Sequence, residues 1–288
     1  MKSRLHRWLL RACVLGLTAS AGLAARPVAA QTPLRYGGEA GQDFGYNIQI
    51  TVDAPDRKLT YKGLARYKVK AVKDGNIDLY FEGGLNESTA YKAQAGAGGP
   101  GRFGPRRIGP PAFHNPFANQ NPSGVGQSMN WITLSPLGKV VAMKGNSQLP
   151  WALGNVSLLV FEDLPESPQN AWRVDAGVAI SEKKQEGRGH LPPIPFHRPE
   201  PEKRSAGTDV TSFKIVREEG DLVTIERTNE LQSPNTDPPF EITGGGTWVF
   251  NRKTGRPESA DYTYKFVVKR PNATVTYPVT VQAKPVSA

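Results

Sequence analysis

The feature that most constrains this chain is a side-chain alternation with a period of two. Phe44, Tyr46, Ile48, Ile50 and Val52 alternate with Gly45, Asn47, Gln49 and Thr51. Leu59, Tyr61, Ala65, Tyr67, Val69 and Ala71 share one parity, and Thr60, Lys62, Arg66, Lys68 and Lys70 share the other. A period of two sends successive side chains to opposite faces of a strand, whereas a helix needs a period near 3.6. The turn chemistry agrees. "KDGN", Lys73 to Asn76, supplies the Asp-Gly pair that a tight hairpin requires, and "IDLYFEG" reads as the returning strand.

Further strands are expected at Trp131–Leu134, Lys139–Met143, Trp172–Ile180, Thr211–Val216, Leu222–Arg227, Thr247–Phe250, Tyr262–Val268 and Val275–Val281. Pro278 falls on the polar side of the last of these. Proline has no N–H for a ladder, so that strand is expected at an edge. "LPWALGNVSLLVFEDLP", Leu149 to Pro165, is the one apolar run bracketed by prolines, and it is expected to be a short crossover helix. The fold class is therefore all-β and mainly antiparallel, as a curved sheet, a sandwich or an open barrel.

The first thirty residues have another logic. Lys2, Arg4, Arg7 and Arg11 precede an apolar run, Ala12 to Ala25, and small residues Val28 and Ala30 stand before Gln31. This is the layout of a secretory signal peptide over 1–30. The run is too short to span a bilayer, which takes about 20 apolar residues. Cys13, the single cysteine, lies inside that run, so the remainder (31–288) has no disulfide and no thiolate nucleophile. The protein is expected to be exported, either periplasmic or extracellular.

The net charge is +10, but five basic residues and no acid lie in the first thirty, so the remainder carries +5. Lys92, Arg102, Arg106 and Arg107 supply most of that, in and beside the Gly/Pro-rich insertion 93–127. A nucleic-acid partner is not expected, because no basic face belongs to the folded body. The interleaved Arg and Phe of "GRFGPRRIGPPAF" could instead hold an anionic polymer or another envelope component, with Arg102, Arg106 and Arg107 as contacts. A second loop, 182–207, is charged and proline-rich. Both loops are expected to be exposed, and the first to be disordered.

Two halves, about 31–148 and 171–288, share phrases. "YKVKAVKDGNIDL" from Tyr67 matches "FKIVREEGDLVTI" from Phe213 with one gap. "WITLSPLG" from Trp131 and "WVFNRKTG" from Trp248 both run from Trp through six residues to Gly. A duplicated β unit follows.

"EITGGGTWVFNRKTG", Glu241 to Gly255, tests the functional alternatives. A phosphate cradle needs a helix N-terminus after the glycines, but "TWVF" reads as strand. Glycines inside a strand mark a bulge, a bend or a close backbone approach. "KTG" at Lys253–Gly255 and "SEKK" at Ser181–Lys184 match two signatures of serine β-lactamases. The order and spacing leave no room for the helix that must carry the serine. His114, His190 and His197 all lie in the two loops at no metal-binding spacing, so no metal and no cofactor is expected. Asp175, Glu226 and Glu241 are acids that folding could align for a carboxylate-based hydrolase. If the sheet curls into an incomplete barrel, Tyr61, Tyr67, Phe213, Tyr264 and Phe266, with Trp151 as a lid, could line an apolar pocket.

The phrases "SQLPWALGNVSLLVFEDLP", "GGGTWVFNRKTGRPES" and "YPVTVQ" resemble those of a loose group of exported, β-rich bacterial proteins of unknown function. The resemblance implies a duplicated β architecture and transfers no catalytic residue. In outline the chain is also similar to periplasmic lipoprotein carriers with an open, helix-plugged barrel, a likeness of architecture alone. The functional expectation is an exported, non-enzymatic binding or structural module. The alternative is a periplasmic carrier of an apolar ligand such as a lipid or a lipoprotein acyl chain.

Overall fold

The computed structural model describes residues 32–92, 125–145, 149, 153–181, 204–236 and 238–286. Residues 1–31, where the sequence predicts a signal peptide, lie outside the described residues. So do Arg102, Arg106, Arg107, His114, Trp151, His190 and His197, and positions 93–124 and 182–203. Pro33–Ala288 forms one compact unit.

Among the described residues eleven strands make up a single sheet. They are β1 (Asp43–Asp53), β2 (Arg57–Lys73), β3 (Asn76–Tyr91), β4 (Val125–Leu134), β5 (Val140–Lys144), β6 (Ala171–Ser181), β7 (Arg204–Glu219), β8 (Leu222–Ser233), β9 (Phe240–Asn251), β10 (Arg256–Arg270) and β11 (Ala273–Pro285). The spatial order is β5-β4-β3-β2-β1-β11-β10-β9-β8-β7-β6, antiparallel throughout. Each half is a meander, and the first and last strands join the two, with Tyr46 opposite Pro285 and Val52 opposite Val279. Among the described residues the sheet does not close. Its free edges are β5 and β6, which adjoin the middle of the chain.

The alternation gives the sheet its two faces. Tyr46, Ile48, Ile50 and Val52 of β1 are buried, as are Tyr262, Tyr264, Phe266 and Val268 of β10. These and their counterparts on the neighbouring strands form one hydrophobic cluster on the concave side. The Asp74–Gly75 turn has φ of 51° and 79°, the positive pair that a tight hairpin needs.

Three expectations are corrected. Among the described residues of the apolar crossover the expected helix amounts to one 3-10 turn, Val156–Leu158. β11 is an interior strand between β1 and β10. Proline is tolerated there because the β1 ladder ends at Val52 opposite Val279, one residue short of Pro278. Third, Val125–Gln127 and Arg204–Gly207, assigned above to the loops, belong to β4 and β7.

The phrases compared above between the two halves fall on hairpins β2/β3 and β7/β8, and on β4/β5 and β9/β10. β2/β3 and β7/β8 each carry a register shift, between Val69 and Ala71 and between Ile215 and Arg217. Both Trp-to-Gly phrases end in a hairpin on a positive-φ glycine, Gly138 (83°) and Gly255 (64°).

Candidate functional site

The link from β5 to β6 does not go around the outside. Leu153 to Glu166 crosses the concave face and fills it, with Val156, Val160 and Leu164 at 0, 1 and 3% exposure. A segment with little regular structure must find partners for its backbone elsewhere, and core side chains supply them. Trp248 Nε1 donates to the Val160 carbonyl (3.2 Å), the Tyr67 hydroxyl to that of Ser157 (3.2 Å), and Trp172 Nε1 to that of Asp163 (2.9 Å). The Tyr36 hydroxyl donates to the Glu162 carbonyl (2.9 Å) and accepts from the Glu162 N–H (2.8 Å). Arg35 straps the far end through the carbonyls of Pro165 (2.9 Å) and Glu166 (2.7 Å). Gly138 lets the β4–β5 turn reach this segment, because a Cβ there would collide with the Glu162 carbonyl oxygen and the Tyr36 ring.

Glu162 is the charged residue that this plug carries into the core. Its carboxylate accepts from Arg227 Nε (3.1 Å) and from the Tyr262 hydroxyl (2.9 Å). The Arg227 guanidinium lies 4.9 Å from the Tyr262 ring centroid and 5.8 Å from that of Tyr264, and Nη1 donates to the Tyr264 oxygen. Arg227 is on β8 and both tyrosines are on β10, with β9 between them. Gly246 faces Arg227 and Tyr262, and Gly244 faces Asn229 and Tyr264. The bare inner face of β9 is what lets the two strands' side chains meet. At all three glycines, 244 to 246, a Cβ would collide with a neighbouring strand's carbonyl oxygen.

Burial pushes the Glu162 carboxyl above its ordinary value, with Arg227 and the Tyr262 hydroxyl pulling against it. Burial works against the Arg227 cation, but Glu162, and after it Tyr264, Tyr262 and Asp209, hold it firmly charged. Burial also raises Tyr262 and Tyr264, so both stay neutral.

Above this network a cleft of about 400 Å³ opens at the unclosed seam. Val140 of β5 lines one side, and Val174 and Ala176 of β6 the other. Leu158 and Phe161 of the plug and Phe213 of β7 complete an apolar wall, while Asp209, Thr211 and Arg227 form a polar floor. Asn229 Nδ2 donates to Asp209 Oδ1 and to Thr211 Oγ1 (2.9 Å). Lys139 and Asp163 stand at the rim. Burial raises the Asp163 carboxyl, opposed by Lys139.

Of the residues singled out in the sequence, Phe213 lines this cleft and stacks on Trp172, with centroids 5.0 Å apart. Tyr264 reaches its floor through Arg227. Tyr61, Tyr67 and Phe266 lie in the core at 1–2% exposure, with Tyr67 edge-on to Phe161 of the plug. Asp175, Glu226 and Glu241 are on the convex face of three different strands. Asp175 pairs with Arg173 (2.8 Å) and Glu241 with Lys269 (2.9 Å). Among the described residues no group of three His, Cys, Asp or Glu could hold a metal ion. Sequence reasoning missed Glu162 and Arg227. One signal was present: Arg227 has the parity of the core residues Val223 and Ile225.

No protein-family profile matches the chain, and no curated protein matches it. Among solved structures, the chain matches a presumed exported protein with a YmcC-like fold from Bacteroides fragilis. The two are 6% identical, the match covers 89% of this chain and 100% of the other, and the TM-score is 0.27. Among the described residues no helix is long and apolar enough to cross a membrane, which says nothing about strands.

Proposed function

We propose that this protein is an exported, non-enzymatic binding module of the cell envelope, and that its ligand enters the cleft at the open seam. The observation that supports this is where the sheet fails to close. Both free edges line the same cleft, and the chain's own plug occupies the rest of the concave face. A cavity of 300–1,000 Å³ with apolar walls and a few convergent polar groups is the usual form of a small-molecule site. The signal-like N-terminus supports export, and the matching hairpins and register shifts support a duplicated β unit.

The test is native mass spectrometry of the protein purified gently from its own envelope. A one-to-one adduct is expected, and Ala176→Trp, which fills the cleft from β6, should abolish it. A bare mass, or an adduct that Ala176→Trp leaves intact, would remove the cleft from the account.

A further inference from the structure

The hydrogen-bonding inventory of the cleft is unbalanced, and the imbalance defines the ligand's chemistry. Several of the donors around the cavity are already committed within the protein. Asn229 Nδ2 is shared between Asp209 and Thr211. The Tyr262 hydroxyl and Arg227 Nε are taken by Glu162, and Arg227 Nη1 by Tyr264. Trp172 Nε1 is taken by the Asp163 carbonyl. At the rim, Lys139 Nζ turns to Glu166 at 3.4 Å, with both side chains largely exposed.

The acceptors are not committed to the same degree. An ionised carboxylate has room for about four hydrogen bonds. Among the described residues, Asp209 receives Asn229 on one oxygen, and the Asp163 carboxylate receives no donor. The lining carries three carboxylates, Glu162, Asp163 and Asp209, against two cations, Lys139 and Arg227. Glu162 and Arg227 neutralise each other at 3.1 Å. An anion entering the cleft would meet one guanidinium, already engaged through Nε and Nη1, and the more numerous carboxylates that repel it. A neutral apolar molecule would desolvate Asp163 and Asp209 and leave their spare acceptor positions unfilled, which is unfavourable. A cation with N–H donors satisfies both, and the Phe161 and Phe213 rings offer the aromatic surface that organic cations favour.

We infer that the cleft binds an organic cation, an ammonium group on a short apolar or aromatic body, with the ammonium drawn to Asp209 and Asp163 and the body against Phe213, Val174 and Leu158. This rests on the cleft being the ligand site, as proposed above.

Isothermal titration calorimetry with three probes of one shape tests the inference: 2-phenylethylammonium, 2-phenylethanol and 3-phenylpropanoate. The ammonium should bind at least about tenfold more tightly than the alcohol, and the carboxylate should not bind. Asp209→Asn and Asp163→Asn should each weaken the ammonium by about tenfold, with unchanged far-UV circular dichroism. Equal affinity for alcohol and ammonium in the wild-type protein would overturn the inference without relying on any variant. Binding of the carboxylate that Ala176→Trp abolishes would keep the cleft as a site and overturn its charge class. If no probe binds and the co-purifying adduct is indifferent to Ala176→Trp, the class and the site both fall.

Discussion

Replacing Arg227 by Met would leave the Glu162 carboxyl buried with the Tyr262 hydroxyl but without its counter-charge. Removing one partner of a buried pair costs about 3–5 kcal/mol. The loss should depend on pH. Burial already holds Glu162 above its ordinary value, and without the guanidinium it rises further. A carboxyl raised in the folded state contributes stability below its unfolded value, near 4.3, and loses it as pH rises through the folded value. Urea unfolding of Arg227→Met should therefore show nearly the full loss at neutral pH and much less near pH 4. The glycines give a second contrast. Gly246→Ala should cost roughly 1–3 kcal/mol, because its Cβ meets β10 backbone. Gly177→Ala, where a Cβ meets nothing within 4 Å, should stay within about 0.5 kcal/mol. That the glycines sit in a strand was legible in the sequence, since "GGG" is followed by "TWVF"; which of a bulge, a bend or a close approach they mark was not. Nor was the ion pair. Glu162 and Arg227 are 65 residues apart, and only the curl of the sheet brings them together.

At the scale of elements, the plug is held by side chains where a helix would use its own ladder. Trp248→Phe should free the Val160 carbonyl and destabilise the protein by about 1–3 kcal/mol. Amide exchange should rise first in Leu153–Glu166, while β10 and β11 stay protected. The reverse order would show that the segment is not anchored there. Proline-bracketed apolar composition suggested a helix because it marks burial, and burial alone does not distinguish a helix from an irregular plug. Strand positions were legible wherever one face is buried. Strand ends were not: β7 runs Arg204–Glu219 although alternation shows only Thr211–Val216. Beyond the core both faces are polar, and the period has nothing to print. Pro278 misled because its edge rule assumes a ladder on both sides, and β1 has ended there.

At the scale of the molecule, the two halves are joined by one ladder, β1 with β11. Deleting the chain after Asn272 removes β11 and should leave neither half folded, so the truncated protein should lose its β-sheet circular dichroism altogether. Survival of one half as a cooperative unit would show instead that each meander carries its own core. Because that ladder pairs strands at opposite ends of the sequence, folding should be slow, on the millisecond-to-second scale or beyond.

The same ladder sets a timetable during synthesis. β1 begins at Asp43 and its partner β11 begins at Ala273. At about 5–20 residues per second, the first strand made waits roughly ten to fifty seconds for the last. Throughout that interval β1 lacks one neighbour, and the nascent chain shows an unsatisfied strand edge to anything nearby. A chaperone that keeps the chain open for the export proposed above would find its substrate there.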